Sequence, residues 1–275
     1  MAPGAYDGIS AKIVEKSGFN AVYMTGSGVS MSTLGVADIA VITMTEQLTR
    51  ATQIVSAVDI PLIADIDTGY GGPLSIMRTI TEFEKVGVAG VQIEDQADPK
   101  RCGHELGRRL VDSQEMVERI KACLEARVSN DFVIIARTDS RTDYGINEAI
   151  RRGQIYAEAG ADVIFVESPE TTEELELIAQ EIQVPTLCNM VEGGRTPFLE
   201  ASVLEKMGHK IVIYPNTLSR TIVKQGRHVL EELKKTGTTE SVRHKMVDHH
   251  ELFSFFDYED NIALERKFLK QASQE

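Results

Sequence analysis

Cysteine is scarce in this chain, and what there is does not pair. Only Cys102, Cys123 and Cys188 occur in 275 residues. The odd count and the absence of any CxxC argue against a disulfide framework and fit reduced thiols in the cytoplasm. A signal peptide is missing, and so is any apolar run of about 18 residues or more, the length that spans a membrane. Positive charge is also short: 29 Lys and Arg stand against 42 Asp and Glu, a net charge of −13. That balance argues against nucleic acid, whose phosphates attract Lys and Arg, and it favours solubility. An acidic chain that binds an anion must gather its cations locally or use a metal. No GxGxxG follows the first strand-like run, which weakens a dinucleotide-binding fold. No GxSxG or Ser-His-Asp order is present, which argues against a serine hydrolase. Low-complexity segments and sequence repeats are absent.

What is there is a rhythm of short apolar runs. They are "NAVYMTG", "PLIADIDTG", "GVQIEDQ", "FVIIARTD", "DVIFVES", "PTLCNM" and "IVIYPNT". Each is continuous rather than alternating, so each reads as a strand buried on both faces, the mark of a parallel sheet. Amphipathic helices lie between them. Asp112 with Glu115, and Thr171 with Glu174, have the spacing of capping boxes. The opening "MAPG" supplies an eighth strand. "MAPGAYDG" starts on a turn-like Pro-Gly with no lead-in, as if an N-terminal segment were missing or the fold began unusually early. Polar residues stand at nearly every strand end: Thr25 and Ser27, Asp65 and Asp67, Glu94 and Asp95, Arg137 and Asp139, Glu167, Asn189, Asn216. Barrel active sites are assembled at that rim. The expected fold is therefore an α/β TIM-type (β/α)8 barrel, read as one domain over 1–275. Helices without further strands follow residue 220, and about 237–275 forms a C-terminal helical segment.

Three groups of residues carry chemistry. Asp65 and Asp67 lie two apart on a strand and share a face. Two such carboxylates hold a hard cation, Mg²⁺ or Mn²⁺, or else cap a helix or pair with a base. The "TGSG" stretch, Thr25 to Gly28, offers backbone N–H groups to an anion, or makes a plain turn. Arg137 binds a carboxylate bidentately or bridges to a rim acid. Finally, "PKRCGHELGRR" surrounds Cys102 with Lys100, Arg101, His104, Arg108 and Arg109. Neighbouring cations lower a thiol pKa, so Cys102 is a nucleophile or acid on a lid made mobile by Gly103 and Gly107, or an incidental residue of a solvated basic loop. Cys123 and Cys188 read as core.

With these pieces in order, the chain resembles the isocitrate lyase / phosphoenolpyruvate mutase superfamily over nearly its whole length. The matching stretches are "PGAYDGISAKIVEKSGFNAVYMTGSG", "LIADIDTGYGG", "VQIEDQ", "PKRCGH", "IIARTD", "NMVEGGRTP" and "IYPNT". "KRCGH" resembles the lyase branch; the branches of carbon–phosphorus chemistry carry a different loop without that cysteine.

The resemblance implies a Mg²⁺-dependent carbon–carbon lyase acting on a small dicarboxylate. Asp65 and Asp67 would form the metal site, with Asp38 close by. Arg137 and the Thr25–Gly26–Ser27 backbone would hold the C1 carboxylate and C2 oxygen. Cys102 would protonate the enolate carbon after C2–C3 cleavage, with Lys100 and His104 beside it and Tyr23 a candidate for the hydroxyl proton. Gly103, His104, Glu167 and Asn189 would orient the leaving carboxylate or close the site. It also implies a homotetramer, a dimer of dimers that exchange the C-terminal helices. Members that cleave methylisocitrate place a threonine at Val191 and an arginine at His249. Their absence favours a 2,3-dimethylmalate-type substrate, with 2-methylisocitrate and oxaloacetate as alternatives. A non-catalytic dicarboxylate-binding barrel is the alternative of another class.

Overall fold

The computed structural model describes residues 1–103, 105 and 107–272. Eight short strands form its centre: β1 (Ala2–Ala5), β2 (Val22–Met24), β3 (Leu62–Asp65), β4 (Gly90–Glu94), β5 (Val133–Thr138), β6 (Val163–Val166), β7 (Thr186–Asn189) and β8 (Ile211–Tyr214). All neighbours are parallel and the sheet closes on itself, β8 pairing with β1 through Ala2↔Ile213 and Pro3↔Tyr214. This is the expected barrel, and "MAPG" does supply a strand of it.

The continuous apolar runs now have a cause. Successive side chains in a strand point to opposite faces. Ala2, Tyr23, Ile135, Val163, Phe165, Leu187 and Ile213 fill the barrel interior. The alternate set, which includes Val22, Met24, Leu62, Ala64, Val91, Ile93, Ile134, Ala136 and Ile164, packs outward against the helices. Both faces are covered, so neither set can be polar. Cys123 and Cys188 are buried in helix and strand, as expected. Burial pushes both thiols up, Cys123 to about 12.

Helix starts follow local chemistry. Thr25 caps the helix Gly26–Leu34 by accepting from the Gly28 N–H. Asp112 and Thr171 are N-caps as read, but neither forms the full box. Asp112 accepts from Gln114 N–H at 2.8 Å. Glu174 turns away to the Glu170 N–H and to Arg141. A reciprocal box does form at Thr43 and Glu46.

A second compact unit begins at Arg220. The helix Thr217–Thr236 runs into it, and a 3-10 turn at Glu240–Lys245 and the helices His249–Phe255 and Tyr258–Ala272 complete it. Leu252, Phe253, Leu264 and Phe268 are exposed on these last helices. Among the described residues no helix is long and apolar enough to cross a membrane.

Candidate active site

The inward phase of each strand, continued past its end, writes the rim. Tyr23 leads to Thr25, Ile63 to Asp65, Gln92 to Glu94, Ile135 to Arg137, Phe165 to Glu167 and Leu187 to Asn189. Barrel register then sets neighbours: Asp65 pairs across from Gln92, and Glu94 from Arg137. Polar groups from six strands therefore converge on one end of the barrel.

Carboxylates dominate one side. Asp65 accepts from the Gly26 N–H at 3.3 Å, the Asp67 N–H at 3.1 Å and Gln92 Nε2 at 3.2 Å. Gly26 is required here, because a Cβ would lie 2.7 Å from Asp65 Oδ2. Lys100 is only 3% exposed and sits between Asp38 at 2.5 Å and Asp67 at 2.6 Å. Burial pulls its ammonium down, but Asp67, Glu94, Asp38 and Asp65 together hold it well above the usual lysine range. Burial raises the Asp65 carboxyl and pushes Asp67 up to about 7, against the pull of Lys100. Glu94 is raised well above its ordinary value, again by burial first.

Arg137 is the hub of the other side. It forks onto Asp139, Nε to Oδ2 at 3.0 Å and Nη2 to Oδ1 at 2.8 Å. Its Nη1 lies 3.3 Å from Glu94 and its Nη2 3.4 Å from Glu167. Its guanidinium stacks 5.2 Å above the Phe165 ring. Burial pushes the Asp139 carboxyl up, yet Arg137 and Arg108 hold it below the usual range. Asn189 Nδ2 donates to Glu167 Oε2 at 3.1 Å. Tyr23 donates to Gln92 at 2.6 Å, and burial holds its phenol well above 10.

The basic loop is only partly solvated. Lys100 and Arg108 turn inward, each onto carboxylates, and Arg108 Nη1 reaches Asp139 at 2.7 Å. Arg109 stays at the surface and donates to the Asp98 carbonyl at 2.6 Å. His104 lies outside the described residues. Gly103 must be glycine: a Cβ there would stand 2.2 Å from Arg137 Nη2 and 2.7 Å from Glu167 Cγ.

These groups line a small cavity of about 40 Å³. Tyr23, Thr25, Ser27, Asp38, Asp65, Cys102, Gly103, Arg137, Glu167 and Asn189, all expected site residues, line it. Gly26, Asp67 and Lys100 sit behind that lining, through Asp65 and Asp38. Sequence reasoning did not assign the apolar part of the wall, Phe165, Ile213 and Pro215, which joins Val191. It also missed the fork of Asp139 onto Arg137 and the bridging role of Gln92. The inward phase of β4, β6 and β8 was the available signal for Gln92, Phe165 and Ile213.

The donor set suits a hard divalent cation. Among the described residues, the cations facing Asp38, Asp65, Asp67 and Glu94 are Lys100 and a shared Arg137. Glu94 Oε1 is buried without a hydrogen-bond partner among the described residues. Buried oxygen ligands in excess of cations fit Mg²⁺ or Mn²⁺. Among the described residues no three His, Cys, Asp or Glu side chains converge as ligands of one ion. Mg²⁺ tolerates that, because it keeps several water or substrate oxygens and needs one or two carboxylates.

The family model for phosphoenolpyruvate phosphomutase matches residues 1–234. The 2,3-dimethylmalate lyase of Eubacterium barkeri is 48% identical over 266 residues, 97% of this chain and 90% of that protein. The 2-methylisocitrate lyase of Halalkalibacterium halodurans is 41% identical over 268 residues, 98% of this chain and 88% of that one. A trigonal crystal form of 2,3-dimethylmalate lyase matches with a TM-score of 0.91 at 38% identity, covering 97% of this chain and 89% of that one. Phosphonopyruvate hydrolase in complex with oxalate and Mg²⁺ matches with a TM-score of 0.87 at 31% identity, covering 98% and 93%.

Proposed function

The chain belongs to the phosphoenolpyruvate mutase / isocitrate lyase superfamily, and on that premise we propose that it is a Mg²⁺-dependent carbon–carbon lyase that cleaves 2,3-dimethylmalate to pyruvate and propionate. One observation carries the substrate. A single cavity combines Arg137, Asp65 and Cys102 with an apolar wall of Phe165, Val191, Ile213 and Pro215. A dicarboxylate bearing two methyl groups matches both halves. The third carboxylate of methylisocitrate would meet Val191, which offers it no hydrogen bond.

The residues divide the work. Arg137, with Thr25 and Ser27 beside it, holds the C1 carboxylate and the C2 oxygen, and Gly26 supports them from behind through its N–H to Asp65. Tyr23 has its own proton engaged with Gln92, which leaves its oxygen to accept from the C2 hydroxyl. The hydroxyl proton passes to a carboxylate of the cluster, the C2–C3 bond breaks, and Cys102 protonates the C3 carbanion of the departing propionate. Lys100 fixes Asp38 and Asp67. Glu167, Asn189 and Gly103 shape the pocket for the leaving carboxylate. A divalent cation held by Asp65 and Asp67 supplies, when bound, positive charge against the negative charge that cleavage develops. The lid excludes water from the intermediate.

The test is pyruvate release from 2,3-dimethylmalate, 2-methylisocitrate and oxaloacetate, each with Mg²⁺ and with a chelator. Oxalate and acetate are measured as well for oxaloacetate. The expected result is metal-dependent cleavage of dimethylmalate, preferred by about tenfold or more over methylisocitrate. Preference for methylisocitrate would overturn the reading of Val191 and leave the lyase chemistry standing. Binding without turnover on every diacid would favour a non-catalytic barrel.

The last helices belong to the same proposal. Their exposed Leu252, Phe253, Leu264 and Phe268 form an apolar surface that a second copy covers by exchange, in a homotetramer. Light scattering is expected to give the mass of four chains, and a monomer at micromolar concentration would sink this.

A further inference from the structure

Arg108 is the unusual member of the lid. Its side chain is fully buried, yet Nε and Nη2 meet no acceptor among the described residues. Unmet buried donors carry a cost, and each such group in a folded protein asks for an explanation. The nitrogen that anchors the side chain is Nη1, which touches two acceptors at once. One is the Gly103 carbonyl. The other is Asp139 Oδ1, at 2.7 Å. That same Asp139 oxygen is held by Arg137 Nη2 at 2.8 Å. Lid and floor therefore share an atom.

The Gly103 carbonyl has a second donor. Ser168 Oγ reaches it at 3.2 Å with a proton it shares with Glu167 Oε1 at 3.1 Å, and the Ser168 N–H donates to Glu167 Oε1 at 2.8 Å. Ser168 makes these contacts from a left-handed backbone, φ +57°, a conformation that serine adopts at a cost and that clusters at functional sites. Gly103 is thus gripped by a side chain of its own loop and by one from the end of β6. The peptide so gripped follows Cys102 directly and lies against Arg137 and Glu167.

We propose that Arg108 is a latch: a positioning residue that seats the Cys102–Gly103 peptide over the cavity by clamping the Gly103 carbonyl together with Ser168. Because Arg108 and Arg137 share Asp139 Oδ1, the latch also senses the cavity. A carboxylate that engages Arg137 draws it from Asp139, and Asp139 then holds Arg108 more firmly. The seat tightens when the cavity fills. This coupling rests on the reading of Arg137 as the carboxylate binder, whereas the clamp itself does not.

The test separates the two. Alkylation of Cys102 by iodoacetamide is followed by peptide mass without substrate, then with oxalate, for wild type, Arg108→Met, Arg108→Lys and Ser168→Ala. Cys123 and Cys188 are buried and serve as internal controls for unfolding. Without oxalate, Arg108→Met is expected to raise the Cys102 rate about tenfold, and Ser168→Ala several-fold. Arg108→Lys, which keeps one charged donor, restores most of the protection. With turnover measured in parallel, Arg108→Met lowers kcat by about 10–100-fold with a smaller change in KM, the pattern of a misplaced reacting group. Oxalate protects wild-type Cys102 more than it protects Arg108→Met. Unchanged alkylation in a folded Arg108→Met and in Ser168→Ala would overturn the latch. If Arg108→Met does not fold, Arg108→Lys and Ser168→Ala decide: no gain in Ser168→Ala refutes the clamp. Faster alkylation in a protein that cleaves no diacid would keep the latch and remove the lyase reading instead.

Discussion

Cys102→Ser is expected to lose turnover by about 10²–10⁴ and to keep its affinity for oxalate within about threefold. The first figure is the worth of a positioned general acid. A serine hydroxyl is nearly the size of a thiol but a far weaker acid, so it fills the same place at the cavity wall and fails to release a proton to carbon. The second figure follows from where the anion binds. Arg137, Asp65, Thr25 and Ser27 line the cavity and are untouched by the change. Steady-state pyruvate release and calorimetric titration of oxalate in Mg²⁺ read the two quantities. A serine variant with more than about a tenth of wild-type turnover removes Cys102 from the role of acid. Loss of oxalate binding together with turnover would mean that Cys102 holds the lid in place and does no proton transfer. The same pair of measurements distinguishes an enzyme from a barrel that only binds.

The barrel was legible because burial on both faces leaves a strong imprint. A strand such as "VIIART" has no room for a polar side chain until it reaches the rim, so the first charge marks the strand end. The inward phase then places Arg137 two residues beyond Ile135. What the rim residues do to one another was not legible. That Glu94 faces Arg137 depends on the register of β4 against β5, which no local pattern encodes. Asp139 reads as a strand-end acid, but its role as the counterion shared by Arg137 and Arg108 appears only when a loop residue folds back over the barrel. In the sequence Lys100 and Arg108 read either as cations of a mobile lid around a reactive thiol or as part of a solvated basic loop. They are buried, because the carboxylate cluster and Asp139 draw them in. The apolar wall was hidden for the opposite reason. Phe165 and Ile213 have the sequence signature of core, and they are core, one layer below the polar rim. A cavity that ends on core residues is where a methyl-bearing substrate gains from the fold itself.

Arg137→Met is expected to cost about 3–5 kcal/mol of stability, or roughly 10 °C in Tm. The side chain is buried and faces Asp139, Glu94 and Glu167. Removing it leaves Asp139 with Arg108, but Glu94 and Glu167 lose the guanidinium in a site with little water. The loss should depend on pH, and its sign is fixed by Glu94. Burial already lifts that carboxyl well above the usual range, and Arg137 is the first group that opposes the lift. Without Arg137 the folded protein prefers the protonated acid still more strongly. A carboxylate raised in the fold penalises stability fully above its folded pKa, and the penalty fades as pH falls toward the unfolded value. The gap between wild type and Arg137→Met should therefore narrow from a pH well above neutrality to one near the ordinary carboxylate range, in metal-free buffer, read by urea midpoints. A gap that is the same at both pH values would mean the cost is lost packing over Phe165 and not stranded charge. Arg137→Lys separates stability from binding. Its ammonium returns a charge to the three carboxylates and should recover part of the midpoint. It lacks the planar fork that meets a carboxylate with two bonds, so KM for dimethylmalate should stay raised by about tenfold or more.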